Sequence, residues 1–390
     1  MRTIGIVTTA RSDYGIYIPI LRRIQAEPGL RLALYAGGMH LMPAFGLTVS
    51  MIEADGFPVT ARVDSGLSGD APADIARAMG SAVGEFAKAF SKARPDVLVV
   101  LGDRFDMFPA AVAALPLAVP VAHIHGGEIT RGAIDDALRH AMTKLSHLHF
   151  PSTDEYARRL FRMGEEPWRV TVSGAPALDH LRAMAFLSRE ALEQRYGLDL
   201  SAPPILATFH PVTLEREEAG WQAEVLFECL RETGRPVIVT LPNADPGARA
   251  AKEAMDRFVQ THRLARRLDN LGTQAYFSLM RFAAAMAGNS SSGLIEAPSF
   301  ELPVVNVGTR QEGRTRARNV IDVGFNRDEI RAGLSRALSA EFRAGLAGLL
   351  NPYGDGRAAE RIVERLKSVP LDDALLRKRF YEGIPERGGA

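Results

Sequence analysis

The chain has almost no cysteine. Cys229 is the only one in 390 residues. A lone thiol excludes an internal disulfide framework and fits a reducing compartment, so a cytoplasmic location is expected. Nor is there an excess of either charge. Lys and Arg number 47 against 46 Asp and Glu, a formal net charge of +1, so neither nucleic acid nor an acidic membrane surface is an expected partner. No apolar run approaches the roughly 20 residues that span a bilayer. The opening stretch, MRTIGIVTTARSDYG, is broken by polar residues too early for a signal peptide. Also missing are the GxGxxG fingerprint of dinucleotide sites, the HExxH helix and any paired-cysteine spacing. No cofactor is therefore expected. Five histidines, His123, His125, His140, His147 and His149, lie close in sequence, and zinc or iron sites do combine His with carboxylates. Without those motifs, and with the nearby acids otherwise explained, a metal centre is the minor reading.

What is present is ordinary in bulk and specific in detail. Hydrophobic and charged residues make up 46% and 24%, as in globular proteins, and the length favours two domains. The central stretch is 96–150, DVLVVLGDRFDMFPAAVAALPLAVPVAHIHGGEITRGAIDDALRHAMTKLSHLHF. Val97–Leu101 has the β-branched pattern of a buried parallel strand, and Gly102 and Asp103 follow at once. Pro120–Ile124 repeats the pattern and delivers His125, Gly126, Gly127 and Glu128 to the same edge. Open α/β sheets bind ligands at that carboxyl edge. Ile134, Leu138, Ala141 and Leu145 recur at helical spacing and are expected to pack on the sheet. Asp135, Asp136, Arg139 and His140 then fall on or beside the open face. Asp103, His125, Glu128 and Asp135 are expected to converge on one crevice, a set suited to proton transfer.

Further strands are expected at 3–9, 32–36, 149–151 and 169–173, with helices at 72–93 and 153–163. The loop ARSDYG after the first strand leads into a helix, an arrangement that binds phosphate through free N–H groups. Arg11 is a candidate anion contact there, and Ser12 or Asp13 acting as a helix cap is the equal alternative. The loop 66–70, GLSGD, is a lid or simply a loop. Strands and helices alternate throughout, hence parallel sheets. Residues 174–204 carry no strand and hold the junction. A second β-α series follows, with strands at Ile205, 237–241, 286–288 and 303–307. The expected division is 1–180, 181–366 and a tail, 367–390, whose helical part crosses back to the first domain and whose last residues are disordered. The fold class is α/β: two Rossmann-like doubly wound domains facing a cleft.

The strongest signal of the second half is MAGNSSSGLIEAPS, 286–299. A strand ends at Gly288. Asn289, Ser290, Ser291, Ser292 and Gly293 then open a helix whose hydroxyls and N–H groups suit a phosphate. Glu296 lies one turn further on, and its carboxylate can accept both ribose hydroxyls. A cap needs one serine, not three, so the ligand reading is preferred over a capped helix. In GRTRAR, Arg314, Arg316 and Arg318 alternate. If extended they project to one side and clamp a diphosphate, or form a basic edge or subunit contact. His210 closes a strand in TFHP and is a fair ligand contact.

Taken together, TTARSDYG, LGDRFD, HIHGGEITRGAIDDALRHAMTKLSHLHF, TFHP, GNSSSGLIEAPSF and GRTRARNVIDV, ordered over about residues 3–365, resemble the hydrolysing nucleotide-sugar 2-epimerases of sialic and legionaminic acid biosynthesis. The resemblance implies a glycosyltransferase-B-like fold with the nucleotide, UDP or GDP, held by the C-terminal half. It implies a homo-oligomer, dimer or tetramer, and no cofactor. It implies elimination then hydration: a base removes the C2 proton, the nucleoside diphosphate leaves C1, and water adds to the glycal to give a free N-acetylmannosamine-type sugar. The family's essential acids match Asp103 and Asp135, or Asp136 given a longer preceding loop. Where many members have a third acid this chain has His125, with Glu128 retained, so that task falls to one or the other. A glycosyltransferase of the same architecture and a non-catalytic nucleotide-sugar-binding protein are the rival readings.

Overall fold

Short β-branched runs alternate with helical stretches along this chain, and such runs can bury both faces only inside a parallel sheet covered by helices. That is what the computed structural model contains. It describes residues 1–69, 71–130, 134–212, 215, 217–240, 248–269 and 271–383. Leu241 at the end of an expected strand, Arg131–Ala133 in the central motif, Asp70 and the last residues of the tail lie outside these. Chain contacts divide the molecule into one unit of Met1–Glu128, Ile134–His180 and Tyr353–Ala390, and a second of Ile129–Ala133 and Leu181–Pro352.

The first unit holds β1 (Arg2–Thr8), β2 (Leu30–Gly37), β3 (Val59–Val63), β4 (Val97–Leu101), β5 (Val121–Ile124) and β6 (Leu148–Phe150). They pair in the order β3-β2-β1-β4-β5-β6, with every pairing parallel. Ile4, Ile6, Val97, Val99, Ala122 and Ile124 point to one core, shared with Ile20 and Ile24 of the first helix and with Ile362, Val363 and Leu366. Val7, Leu98, Val100 and Val121 point to the other, against Phe86, Phe90 and Met142. The tail's expected crossing began at 367, whereas in the structure the chain rejoins this unit at Tyr353. The apolar stripe of the helix Ala358–Ser368 is buried here, and the Asp179 carboxylate caps its start by accepting from the N–H groups of Ala358 and Ala359 at 2.9 and 2.7 Å.

The second unit holds β7 (Ile205–Thr208), β8 (Val237–Thr240), β9 (Ala265–Leu268), β10 (Ala285–Gly288), β11 (Val304–Val307) and β12 (Val320–Val323). Their order is β12-β11-β10-β7-β8-β9, again all parallel. Counted from its own first strand, each sheet runs 3-2-1-4-5-6, the doubly wound order. Connections leave in opposite directions from the two central strands, and the gap that opens at their carboxyl ends is where such sheets take ligands. In the first unit that point lies between β1 and β4; in the second, between β7 and β10.

Strands β3, β9 and β12 had no expectation from the sequence, and each is a sheet edge. An edge strand exposes one face, so VTARV, ARRL and VIDV lack the continuous apolar run that marks the central strands. The expected strand at 169–173 is absent. Pro167–Arg169 forms a 3-10 turn, and Val170 makes only an isolated bridge to His149 beside β6.

Gly288 closes β10 with φ +126°, and a Cβ there would lie 1.9 Å from the Thr208 carbonyl oxygen. Gly288→Ala should therefore cost about 3 kcal/mol of stability, read as a lowered urea midpoint of the transition that reports the second unit.

Candidate active site

In the first unit the polar residues gather where β1, β4 and β5 end. Asp103 follows the last residue of β4 by two and is half-buried, and its carboxylate forms an ion pair with Arg139. Arg139 lies on the helix Ile134–Leu145 and is 3% exposed. The expected packing of that helix holds only in part: Leu145 packs against the core beside Met142, and Leu138 and Ala141 are half-buried. Ile134 is 66% exposed, while the buried face is Arg139, Met142 and Thr143. Two of those three are polar because this face meets the strand ends rather than the apolar middle of the sheet. Asp136, four residues before His140, lies 3.8 Å from Arg139 and 3.7 Å from His140. Asp135 instead senses Asp103, Arg104 and Arg139. Its pKa is raised, first by burial and then by the Asp103 charge.

His125 and Glu128 form a second group at the same edge. His125 holds φ +63°, a conformation that costs a side-chain-bearing residue energy and tends to persist at functional sites. Its Nδ1 is 2.6 Å from Glu128 Oε1, and Ser152 Oγ donates to the same oxygen at 3.2 Å. Glu128 is 5% exposed. Arg11 is exposed on the first turn of the helix Arg11–Ala26. The loop before it has no free N–H cradle. The Asp13 carboxylate accepts from the N–H groups of Thr9 (2.9 Å) and Ala10 (3.1 Å) and from the Thr8 hydroxyl (2.6 Å). The capping alternative holds at Asp13, which takes up the N–H groups of Thr9 and Ala10. Arg104 had no role read from the sequence. It faces the same edge, clamped by Asp106 at 3.0 and 2.9 Å, and the D-x-x-D spacing of LGDRFD was its only sequence signal.

The histidines weighed as metal ligands engage separate partners. His123 meets the Gly102 carbonyl, His147 the Val121 N–H, and His149 the Glu165 carboxylate.

In the second unit the switch point is lined by His210 after β7 and by Asn289 and Ser290 after β10. Asn289 does not face outward. Its amide oxygen accepts from the His210 N–H and its amide nitrogen donates to the His210 carbonyl, both at 2.7 Å. It thus holds His210 in place. Burial, then the Arg310 charge, lowers the His210 pKa to about 3, so the ring is neutral. The serine-opened helix is a single turn, Ser292–Ile295, passing into a 3-10 turn at Ala297–Phe300 because Pro298 cannot continue it. Ser291 makes no cap bond, and Ser290, Ser291 and Ser292 are partly exposed. Gly293 packs against Val304, and Glu296 is 8% exposed. Tyr276, which the sequence did not single out, lies beside Ser292, Thr208 and Ser290, and burial, then Glu296, pushes its pKa to about 12. The three-arginine clamp is not formed. Arg316 pairs with Asp322 at 2.7 Å and Arg318 donates to the Ala347 carbonyl, so these two guanidinium groups are taken up by separate partners.

A family model described as UDP-N-acetylglucosamine 2-epimerase matches residues 22–367. The UDP-N,N'-diacetylbacillosamine 2-epimerase (hydrolyzing) of Legionella pneumophila is 37% identical over 97% of this chain and 99% of its own. The GDP/UDP-N,N'-diacetylbacillosamine 2-epimerase (hydrolyzing) of Campylobacter jejuni is also 37% identical, over 98% and 99%. The crystal structure of UDP-GlcNAc 2-epimerase from Neisseria meningitidis bound to UDP-GlcNAc matches with a TM-score of 0.79 at 19% identity, covering 94% of this chain and 99% of that one. That likeness establishes the architecture, two Rossmann-like halves of the glycosyltransferase-B-like type. The chain belongs to the UDP-N-acetylglucosamine 2-epimerase family.

Asp103 is the second cause of the raised Asp135 pKa, so Asp103→Asn should move the Asp135 titration downward while burial keeps it above the ordinary carboxylate value. Carbon-13 NMR of the labelled aspartate carboxyls across pH reads this directly, and an unmoved Asp135 would show that the two do not interact.

Proposed function

We propose that this chain is a hydrolysing nucleotide-sugar 2-epimerase that takes a UDP- or GDP-linked N-acetylated sugar, with the 2,4-diacetamido-trideoxy sugar of diacetylbacillosamine type as the preferred substrate. The observation that carries the reading is the pair Asp103 and Asp135 at the β4 edge, two carboxyl groups in unlike surroundings, one against an arginine and one with a raised pKa. Neighbouring titratable groups pushed apart in this way suit a base and an acid. The near-full-length likeness to two enzymes named for diacetylbacillosamine supports the choice of sugar, and disfavours the transferase and sensor readings.

The C2 hydrogen of the sugar is a weak acid, so its removal and the departure of the diphosphate from C1 must be coupled. Asp103, held by Arg139, takes that proton. The electron pair forms the C1–C2 double bond, and the C1–oxygen bond breaks toward the diphosphate. Glu128, held by His125 and Ser152, then directs water to C1, and Asp135 returns a proton to C2 from the opposite face, inverting it. The reaction has no net oxidation, so it calls for no redox cofactor. In the second unit Ser290, Ser291, Ser292 and Gly293 receive the diphosphate with Arg314, and Arg11 is an anion contact at the edge of the first unit. Glu296 accepts from the ribose hydroxyls, and neutral His210, kept in place by Asn289, contacts the nucleotide.

No helix among the described residues is long and apolar enough to cross a membrane. The reading puts the enzyme in the cytoplasm as a homo-oligomer, a dimer or tetramer.

The test is incubation in deuterated water with UDP- and GDP-linked diacetylbacillosamine and with UDP-GlcNAc, followed by proton NMR. Free C2-inverted sugar carrying one deuterium at C2, with one nucleoside diphosphate per sugar, is expected. Asp103→Asn should lower turnover by about 1,000-fold and leave nucleotide affinity unchanged. Product still linked to nucleotide, or free of deuterium, would refute the mechanism.

A further inference from the structure

We propose that His123 is a positioning residue for this reaction: it anchors the peptide that carries Asp103 and ties it to the helix that carries Arg139 and Asp135. The inference rests on the reading of Asp103 as the base.

His123 is the third residue of β5, fully buried, on the sheet face opposite Ala122 and Ile124. Its Nε2 lies 2.7 Å from the Gly102 carbonyl oxygen, and its Nδ1 lies 3.3 Å from Thr143 Oγ1. A carbonyl can only accept, so Nε2 carries the ring hydrogen. Nδ1 is then bare and accepts from the Thr143 hydroxyl. Both contacts select the same tautomer. Burial drives the pKa to about 3, so the ring is a fixed neutral bridge rather than a titrating group.

What the bridge joins makes it more than a satisfied core histidine. The Gly102 carbonyl belongs to the peptide that leads into Asp103. Gly102 itself has φ +74° and no side chain to hold its rotation, so the aim of Asp103 depends on an outside anchor. The Gly102 N–H donates to the Ile124 carbonyl at 3.0 Å and holds one side of the residue. His123 holds the other. At its far end the ring meets Thr143, one helical turn beyond Arg139 and on the same buried face. Arg139 is the residue that pairs with Asp103. Asp103 is therefore located twice, through its side chain by Arg139 and through its backbone by His123, and both ties run to the same helix.

The test compares His123→Gln, His123→Asn, His123→Leu and Thr143→Val with the native enzyme, each checked for folding by circular dichroism. Glutamine can place an amide N–H near the Nε2 position, whereas asparagine falls short and leucine has no donor. His123→Asn and His123→Leu should lower kcat by about 100-fold, the effect of misplacing a reacting group by about 1 Å. KM should change by no more than about twofold. His123→Gln should restore kcat to within about fivefold of native, because it restores the one donor. Thr143→Val should lower kcat by about tenfold, and it stands as the test if the other two fail to fold. In an Asp103→Asn background, adding His123→Asn should lower the residual rate no further, because the two act as one unit. Native kcat in folded His123→Asn or in Thr143→Val overturns the proposal, as does a Gln variant no better than Asn. Native turnover in Asp103→Asn alone refutes the assignment of the base instead, so the two failures are distinguishable.

Discussion

Much of the first unit's chemistry depends on the ion pair between Arg139 and Asp103. A guanidinium that is almost wholly buried is strongly unfavourable without its carboxylate, and removing one member of such a pair costs about 3–5 kcal/mol. The pair therefore fixes a relation between two elements that touch nowhere in sequence, the end of β4 and the helix Ile134–Leu145. Once that relation is set, Asp135 lies within the field of Asp103, and its proton is held more tightly as a result. Asp136, one residue on, lies 3.7 Å from His140 and 3.8 Å from Arg139.

The two sheets share one strand order but use their switch points for different chemistry. Between β1 and β4 the first unit collects ionisable groups: Asp13, Asp103, Arg104 and Asp106. Between β7 and β10 the second unit collects hydroxyls, a neutral histidine and a buried glutamate. Acids are of no help in gripping a diphosphate, and hydroxyls and N–H groups cannot take a proton from carbon. The division follows from what each edge is lined with, not from the topology, which is the same in both. It is consistent with the assignment of proton transfer to one half and nucleotide binding to the other.

Several elements were readable before any coordinates. VLVVL is a continuous apolar run, and VAHI and IVT are broken by one polar residue each, because both faces of a central parallel strand are covered, and the residues just after them had to reach the carboxyl edge. That reasoning placed Asp103, His125, Glu128 and His210. It failed where burial and polarity part company. The helix Ile134–Leu145 buries Arg139 and Thr143 and exposes Ile134, so its apolar periodicity located only part of the buried face. The alternating arginines of 313–318 suggested a common direction, yet Arg316 and Arg318 find Asp322 and a carbonyl. Asn289 has the composition of a ligand contact and spends its amide on the His210 backbone.

The sequence by itself determined the class of fold, the number of β-α series and the strand ends that carry the candidate acids, because hydrophobic periodicity and strand-to-loop transitions are local properties of the chain. It also carried the family. Tertiary structure alone decided which polar groups are partnered with each other. The tie of Arg139 to Asp103 and the bridge from Gly102 through His123 to Thr143 depend on distances and desolvation. Those quantities arise only when the elements pack.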